Sequence, residues 1–229
     1  MPTEPHETQK TDSFRLESPK KDPNNQKKVV SKQHSDFEDL GFKKSINLLE
    51  EEIRELYLTD DVPWIIGYSG GKDSTATLQL VWNAVAGLNV KDRHKTVHVI
   101  STDTLVENPI VSSWVKNSLK NLNDCSKKEM MPFLAKLLYP EIEQSFWVNL
   151  IGKGYPTQRP KFRWCTERLK INPSNKYITG IVKLGGEAIL CLGARKQESI
   201  ARKKVFIKNA VYRVKDRLSP SASLPGCLI

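Results

Sequence analysis

Between residues 42 and 56 the apolar positions Phe42, Ile46, Leu49, Ile53 and Leu56 recur in alternating four- and three-residue steps. That spacing lines one helix face and predicts a helix opening near Asp36 and closing before Pro63. Residues 62–68 form a short apolar run that reads as a buried strand, and residues 74–85 return to helical spacing through Leu78, Val81, Trp82 and Val85. Residues 96–101 alternate as a second strand. Asn108 and Pro109 then offer a cap and a first-turn proline for a helix carrying Ile110, Val111, Trp114, Val115, Leu119 and Leu122. A weaker third strand is predicted over 133–139, a short helix over 141–150, a loop over 151–165, a helix over 173–184 and a strongly apolar strand over 187–193. Strands alternating with helices point to an α/β fold with a doubly wound parallel sheet. In such sheets ligands sit beyond the carboxyl ends of the strands.

The first 37 residues are polar and hold hardly any large apolar side chain, so they cannot bury enough surface to offset ordering and are expected to be a disordered tail. Residues 38–217 make one domain, and 218–229 read as the start of a further, truncated C-terminal region. No run of about 18 apolar residues occurs, and the N-terminus lacks a basic then apolar leader, so a soluble cytoplasmic protein with no membrane contact is expected. The four cysteines are widely spaced in a chain without an export signal, which favours reduced thiols over a disulfide framework.

Charge changes the picture once it is divided along the chain. The net +10 arises almost wholly from residues 151–217, which sum to +13, while residues 1–40 sum to −1 and 41–150 to −2. A block of this sign can neutralise the phosphates of a nucleotide or a nucleic-acid backbone, although a solvated basic face reads the same way.

The densest candidate chemistry lies between the first strand and the helix after it, at Ser69-Gly70-Gly71-Lys72-Asp73-Ser74. A glycine-rich loop opening a helix suits a pyrophosphate, because first-turn N–H groups point outward, the dipole favours an anion and missing Cβ atoms permit close approach. Lys72 adds a charge, and Ser69 and Ser74 add hydroxyls. The Walker A pattern fails, since Asp73 follows Lys72 where Ser or Thr is required.

Two further polar clusters occupy strand ends. Asp103, with Thr104 and Glu107 nearby, offers oxygens for Mg2+, or else caps a turn. Gly193-Ala194-Arg195-Lys196-Gln197-Glu198-Ser199 follows the apolar strand, and Arg195 and Arg202 stand two helical turns apart, spaced either to grip phosphates or to pair on a surface helix. The stretch from Gly152 to Lys170 interleaves Tyr155, Phe162 and Trp164 with Lys153, Lys161, Arg163, Arg168 and Lys170, a pattern suited to nucleotides. Cys165 sits among these cations, where a thiolate is favoured, though a packed inert cysteine is the commoner fate. Cys191, between Leu190 and Leu192, reads as packing.

The six-residue loop resembles the PP-loop of the ATP pyrophosphatases, which cleave ATP between the α and β phosphates. Together with Ser101-Thr102-Asp103-Thr104-Leu105-Val106-Glu107-Asn108-Pro109, Lys161-Phe162-Arg163-Trp164-Cys165-Thr166 and the Gly193 to Ser199 segment, it resembles the DndC family of bacterial DNA phosphorothioation proteins, relatives of phosphoadenosine phosphosulfate reductase. The resemblance spans about residues 38–229. It implies ATP at Ser69, Gly70, Gly71, Lys72, Ser74, Thr104, Arg195 and Arg202, with Lys72, Asp73, Asp103, Arg195 and Cys165 in the chemistry and Mg2+ at Asp103. The acceptor it implies is a DNA backbone phosphate, adenylated so that sulfur from a cysteine desulfurase can replace an oxygen, with other Dnd proteins as partners. It further implies an iron–sulfur cluster in the longer family form, to which Cys165 would contribute; the family continues beyond the point matching Ile229. Sulfonucleotide reduction and a non-catalytic nucleotide- and DNA-binding remnant are the alternatives that the same residues allow. Reductases of that kind carry a redox cysteine in a C-terminal motif, which is not seen here.

Overall fold

A computed structural model describes residues 40–159, 162–194, 218, 220–221 and 223–229. The predicted tail, the start of the first helix near Asp36, Lys161, and Arg195 and Arg202 with most of the basic block after them lie outside the described residues.

The elements follow the sequence pattern. They are α1 (Phe42–Leu58), β1 (Trp64–Gly67), α2 (Lys72–Ala86), β2 (Val97–Thr102), α3 (Pro109–Lys128), β3 (Phe133–Leu138), α4 (Trp164–Thr166), α5 (Asn172–Gly185), β4 (Ala188–Cys191) and β5 (Cys227–Leu228). The expected cap of α3 is present: the Asn108 side chain accepts from the Ile110 N–H at 2.9 Å, and Pro109 occupies the first turn. All strands are parallel, in the order β3-β2-β1-β4-β5. The order reverses between β1 and β4, which puts a crevice beyond the end of β1.

Three regions depart from the pattern. Residues 141–150, expected as a short helix, form a 3-10 turn at Ile142–Gln144 and a π turn at Val148–Gly152. The last helix reaches back through a π turn at Glu167–Ile171 to α4. Pro173 cannot donate to the preceding turn and its ring crowds the carbonyl four residues back, a constraint that a widened turn relieves. Residues 227–228, expected in a separate region, pair in parallel with β4, and Leu224 and Cys227 are buried in the core.

Strand alternation divides the core. Trp64 and Ile66 face α1, α2 and α3 along with Val97, Val99 and Phe133, whereas Ile65 faces the opposite way with Ile100, Ile178 of α5 and Ala188. At the amino ends of the strands the core closes over a charge. Lys95 is buried, pairs with Asp60 at 2.8 Å and sets its ammonium 4.9 Å from the Tyr57 ring centre and 5.2 Å from that of Trp64. The Tyr57 hydroxyl donates to the Lys95 carbonyl at 2.7 Å and accepts from its N–H at 3.2 Å, and burial pushes the phenol up to about 12. Removing one partner of a buried pair leaves the other uncompensated. Asp60→Ala, which leaves the buried Lys95 ammonium unpaired, is therefore expected to lower unfolding stability by about 3 kcal/mol in urea titrations, while Glu50→Ala, which removes a part-buried pair stretched to 4.0 Å from Arg54, changes it by less than about 1 kcal/mol.

Candidate nucleotide site

The loop from Ser69 to Ser74 leaves the carboxyl end of β1 and becomes the first turn of α2. Its shape comes from hydrogen bonds within itself. Ser74 is buried; its hydroxyl donates to the Gly71 carbonyl at 3.0 Å, accepts from the Ser69 N–H at 3.2 Å and lies 3.2 Å from the Ser69 hydroxyl. Ser74, expected as a ligand donor, thus fastens the loop, and Ser69 is the hydroxyl that reaches the crevice.

The two glycines have different reasons. Gly70 has φ +73°, and a Cβ there would stand 2.4 Å from the Trp114 ring and 3.0 Å from Val115. Gly71 has ordinary extended backbone and an added Cβ would meet only the Ser69 hydroxyl, at 3.4 Å. Its bare backbone leaves the mouth of α2 open. No side chain caps that helix, so its first-turn N–H groups face outward. Lys72 is exposed beside them, and Asp73 points its carbonyl to the Thr77 hydroxyl at 3.0 Å.

A cavity of about 610 Å³ lies against this loop, at the carboxyl edge of the sheet. Tyr68, Ile100, Leu137, Ile178 and Leu192 make apolar wall, and Ser69, Thr102, Lys170, Ser174 and Asn175 bring polar groups. Its size and mixed lining suit a nucleotide. The turn after β4 closes tightly on α2: a Cβ at Gly193 would lie 2.7 Å from the Asp73 carbonyl oxygen and 2.8 Å from the Thr77 hydroxyl. Gly193 is thus needed for packing.

Asp103 also reaches this cavity, but its carboxylate is already engaged. One oxygen accepts from the Leu105 N–H at 3.0 Å; the other accepts from the Ser112 hydroxyl at 2.7 Å and lies 3.1 Å from the Lys116 ammonium. Burial alone would push this carboxyl up, yet the bonds from Leu105, Ser112 and Lys116 outweigh it and hold it below the usual carboxylate range. The turn it holds contains Leu105 at φ 63°, an uncommon conformation for a branched residue. Glu107 is likewise engaged, by Lys170 at 3.0 Å. Asp103 and Glu107 therefore do not form a Mg2+ cage as arranged, and among the described residues no three His, Cys, Asp or Glu side chains gather as a metal site. Thr104 is buried behind them.

The remaining expectations fare unevenly. Cys165 is half-buried in α4 and does not line the cavity; its sulfur lies 4.0 Å from the Thr166 hydroxyl. Two of the cations expected around it turn elsewhere. Arg168 donates to Gln144 at 2.7 Å, Asn149 at 2.8 Å and the Tyr155 hydroxyl at 2.6 Å, and Lys170 pairs with Glu107. The described residues thus bring Cys165 no fellow ligands for a cluster. Burial pushes the Cys191 thiol up to about 12 and raises that of Cys227, as suits packed thiols. Sequence reasoning missed Ser112 and Lys116, although the Asn108 cap fixes where α3 starts and so sets both on the turn facing Asp103. It also missed Ser174 and Asn175, because the π turn that carries them to the sheet edge leaves no periodic trace.

With the crevice, the uncapped helix and the loop in place, the family match has a physical counterpart. The sequence matches the phosphoadenosine phosphosulfate reductase domain over residues 63–218. The chain belongs to this family. It is 28% identical over 150 residues to an uncharacterized protein of Methanocaldococcus jannaschii, a match covering 66% of this chain and 26% of that protein. The chain thus spans about a quarter of the length of this curated relative. Among solved structures it is similar to the U34-tRNA thiolase NcsA from Methanococcus maripaludis, described with its 4Fe-4S cluster, at TM-score 0.44 and 13% identity, covering 81% of this chain and 58% of that one. No helix among the described residues is long and apolar enough to cross a membrane.

Gly70→Ala combines a left-handed φ with a clash against Trp114 and is expected to cost about 2 kcal/mol of stability, whereas Gly71→Ala melts as the wild type and weakens binding of an adenine nucleotide in calorimetry. Because the folded Asp103 carboxyl titrates below its ordinary value near 3.8, its contribution is present above that value and is lost as pH falls through the depressed one. Asp103→Asn is accordingly expected to flatten the acid limb of a stability-against-pH curve below about pH 4.

Proposed function

We propose that this site binds ATP and splits it between the α and β phosphates, adenylating an acceptor phosphate, and that the acceptor is a DNA backbone phosphate prepared for sulfur insertion, as in the DndC-like systems. The observation that carries the reading is the self-fastened Ser69 to Ser74 loop, which opens an uncapped helix onto a cavity of nucleotide size. An acceptor oxygen attacks the α phosphorus, a new P–O bond forms, the bond to the bridging oxygen of the β phosphate breaks, and pyrophosphate leaves with the electron pair. The first-turn N–H groups of α2 and the Lys72 ammonium receive the charge that grows on that leaving group. Sulfur at the sulfide level, released by a thiol reductant from the persulfide of a cysteine desulfurase, would then attack the adenylated phosphorus, so that a P–S bond forms, the P–O bond to AMP breaks and AMP leaves with the electron pair. Because Asp103 serves its own turn, no step is assigned to a metal held by it.

DNA as acceptor is favoured by the +13 of residues 151–217, which exceeds what one small nucleotide requires. A second reading, reduction of a sulfonucleotide in the same crevice, is favoured by the family match itself. Incubating the protein with ATP and DNA and measuring pyrophosphate separates them. The adenylation reading expects DNA-stimulated pyrophosphate release that falls about 100-fold in Lys72→Ala. Release of orthophosphate would refute it, sulfonucleotide-dependent thiol oxidation would support the reductase, and ATP binding without turnover would point to a non-catalytic remnant.

A further inference from the structure

The face of the sheet opposite α1, α2 and α3 is covered by α5, which lies against β2 and β4. Beyond α5, over β3, opens a second cavity of about 860 Å³. Three observations mark it as more than a packing gap.

The first is charge. Lys136 reaches it from β3 and Arg168 from the π turn, and neither is matched by a carboxylate among the described residues. Lys136 sets its ammonium 5.1 Å over the Tyr177 ring, and the partners of Arg168 are the neutral Gln144, Asn149 and Tyr155. A third cation on the wall, Lys176, is balanced by Glu141 at 2.7 Å. Two uncompensated positive charges on one concave surface attract an anion.

The second is the kind of surface between them. Tyr139 and Tyr177 present rings, His98 is fixed edge-on to Tyr177 with its Nδ1 3.0 Å from the phenol oxygen, and the amides of Asn172 and Asn175 stand at the rim. Rings beside cations and amides match a base with its phosphate, with the amides able to pair with a base edge.

The third is Gly180. It lies inside α5, where glycine is the poorest ordinary helix former. A Cβ at this position would meet no atom within 4 Å, so neither packing nor backbone conformation requires its absence. Gly180 lines the cavity, and a larger side chain there would project into it.

We propose that this second cavity takes one nucleotide unit of a nucleic-acid strand. Asn175 lines both cavities, so a unit held here would sit across the first turn of α5 from the nucleotide crevice. The proposal does not depend on ATP cleavage, since strand binding is expected whether or not pyrophosphate is released.

Fluorescence anisotropy with a labelled single strand of about ten nucleotides tests it. Gly180→Leu is expected to weaken binding at least about tenfold. Gly180→Ala, which adds one methyl and favours the helix, weakens it less and keeps the test valid if the larger residue disturbs folding. Lys136→Glu is expected to weaken binding similarly and to lower the salt slope by about one ion. Lys183→Glu makes the same charge change on α5 outside the cavity and is expected to have less than about a twofold effect at physiological salt. Titrating AMP against the bound strand identifies the source of the ligand: displacement that Gly180→Leu abolishes marks a free mononucleotide, and failure to displace marks a strand. Binding unchanged in both Gly180 variants, equal losses from Lys136→Glu and Lys183→Glu, or no binding of either probe at low salt would overturn the proposal.

Discussion

The carboxyl-edge crevice depends on β1, four residues whose backbone is paired on both sides. Trp64 to Ile66 lie between β2 and β4, and the pairing extends past the strand, from the Tyr68 N–H to the Ile100 carbonyl at 2.8 Å. Trp64, Ile65 and Ile66 are buried on alternate faces, so a one-residue slip would exchange the contents of the two cores. Register is therefore fixed where it matters. With β1 fixed, Gly67, Ser69 and the start of α2 are fixed too, and a glycine loop becomes a shaped one.

The crevice is held open by residues that spend their polar groups on each other. Ser74 ties the loop and Asp103 ties the turn after β2 to α3. Glu107 tethers the π turn through Lys170. A carboxylate that already accepts three donors is a strut, and its low proton affinity reports that bracing. What stays unspent at the mouth is a helix end without a side-chain cap and the exposed Lys72, both of the sign that phosphate needs. The division of labour also separates the glycines: Gly70 and Gly193 admit neighbours, and Gly71 leaves room for a ligand.

Much of the fold was legible because β1 to β4 and the long helices each have a period or a punctuating residue. Asn108 and Pro109 announce α3, and the run from Trp64 to Gly67 could be little else than a buried strand. The crevice was legible at the ends of those same elements, since topology brings strand ends together. What the sequence hid was of another kind. Whether Asp103 meets magnesium or Ser112 depends on the rotation of α3. Whether Arg168 faces Cys165 or Asn149 depends on a π turn that shifts every following side chain. The second cavity was hidden as well, because Lys136 and Tyr177 are 41 positions apart and meet only where α5 packs over β3.

The pairing of β4 with residues far later in the chain carries a consequence for synthesis. β1, β2 and β3 with their helices emerge in order, and their contacts are local, so this half can assemble early. Until β4 arrives, the second edge of β1 is an unprotected row of amides flanked by Ile65 and Ile66, the sort of template on which other chains add. β4 covers that edge and inherits the exposure, and the outer edge of Ala188 and Ile189 gains its partners only when Cys227 and Leu228 have left the ribosome. The nascent protein thus passes its vulnerability outward from strand to strand, and a chain held after β4 has left the ribosome but before β5 has would leave β4 as the adhesive edge.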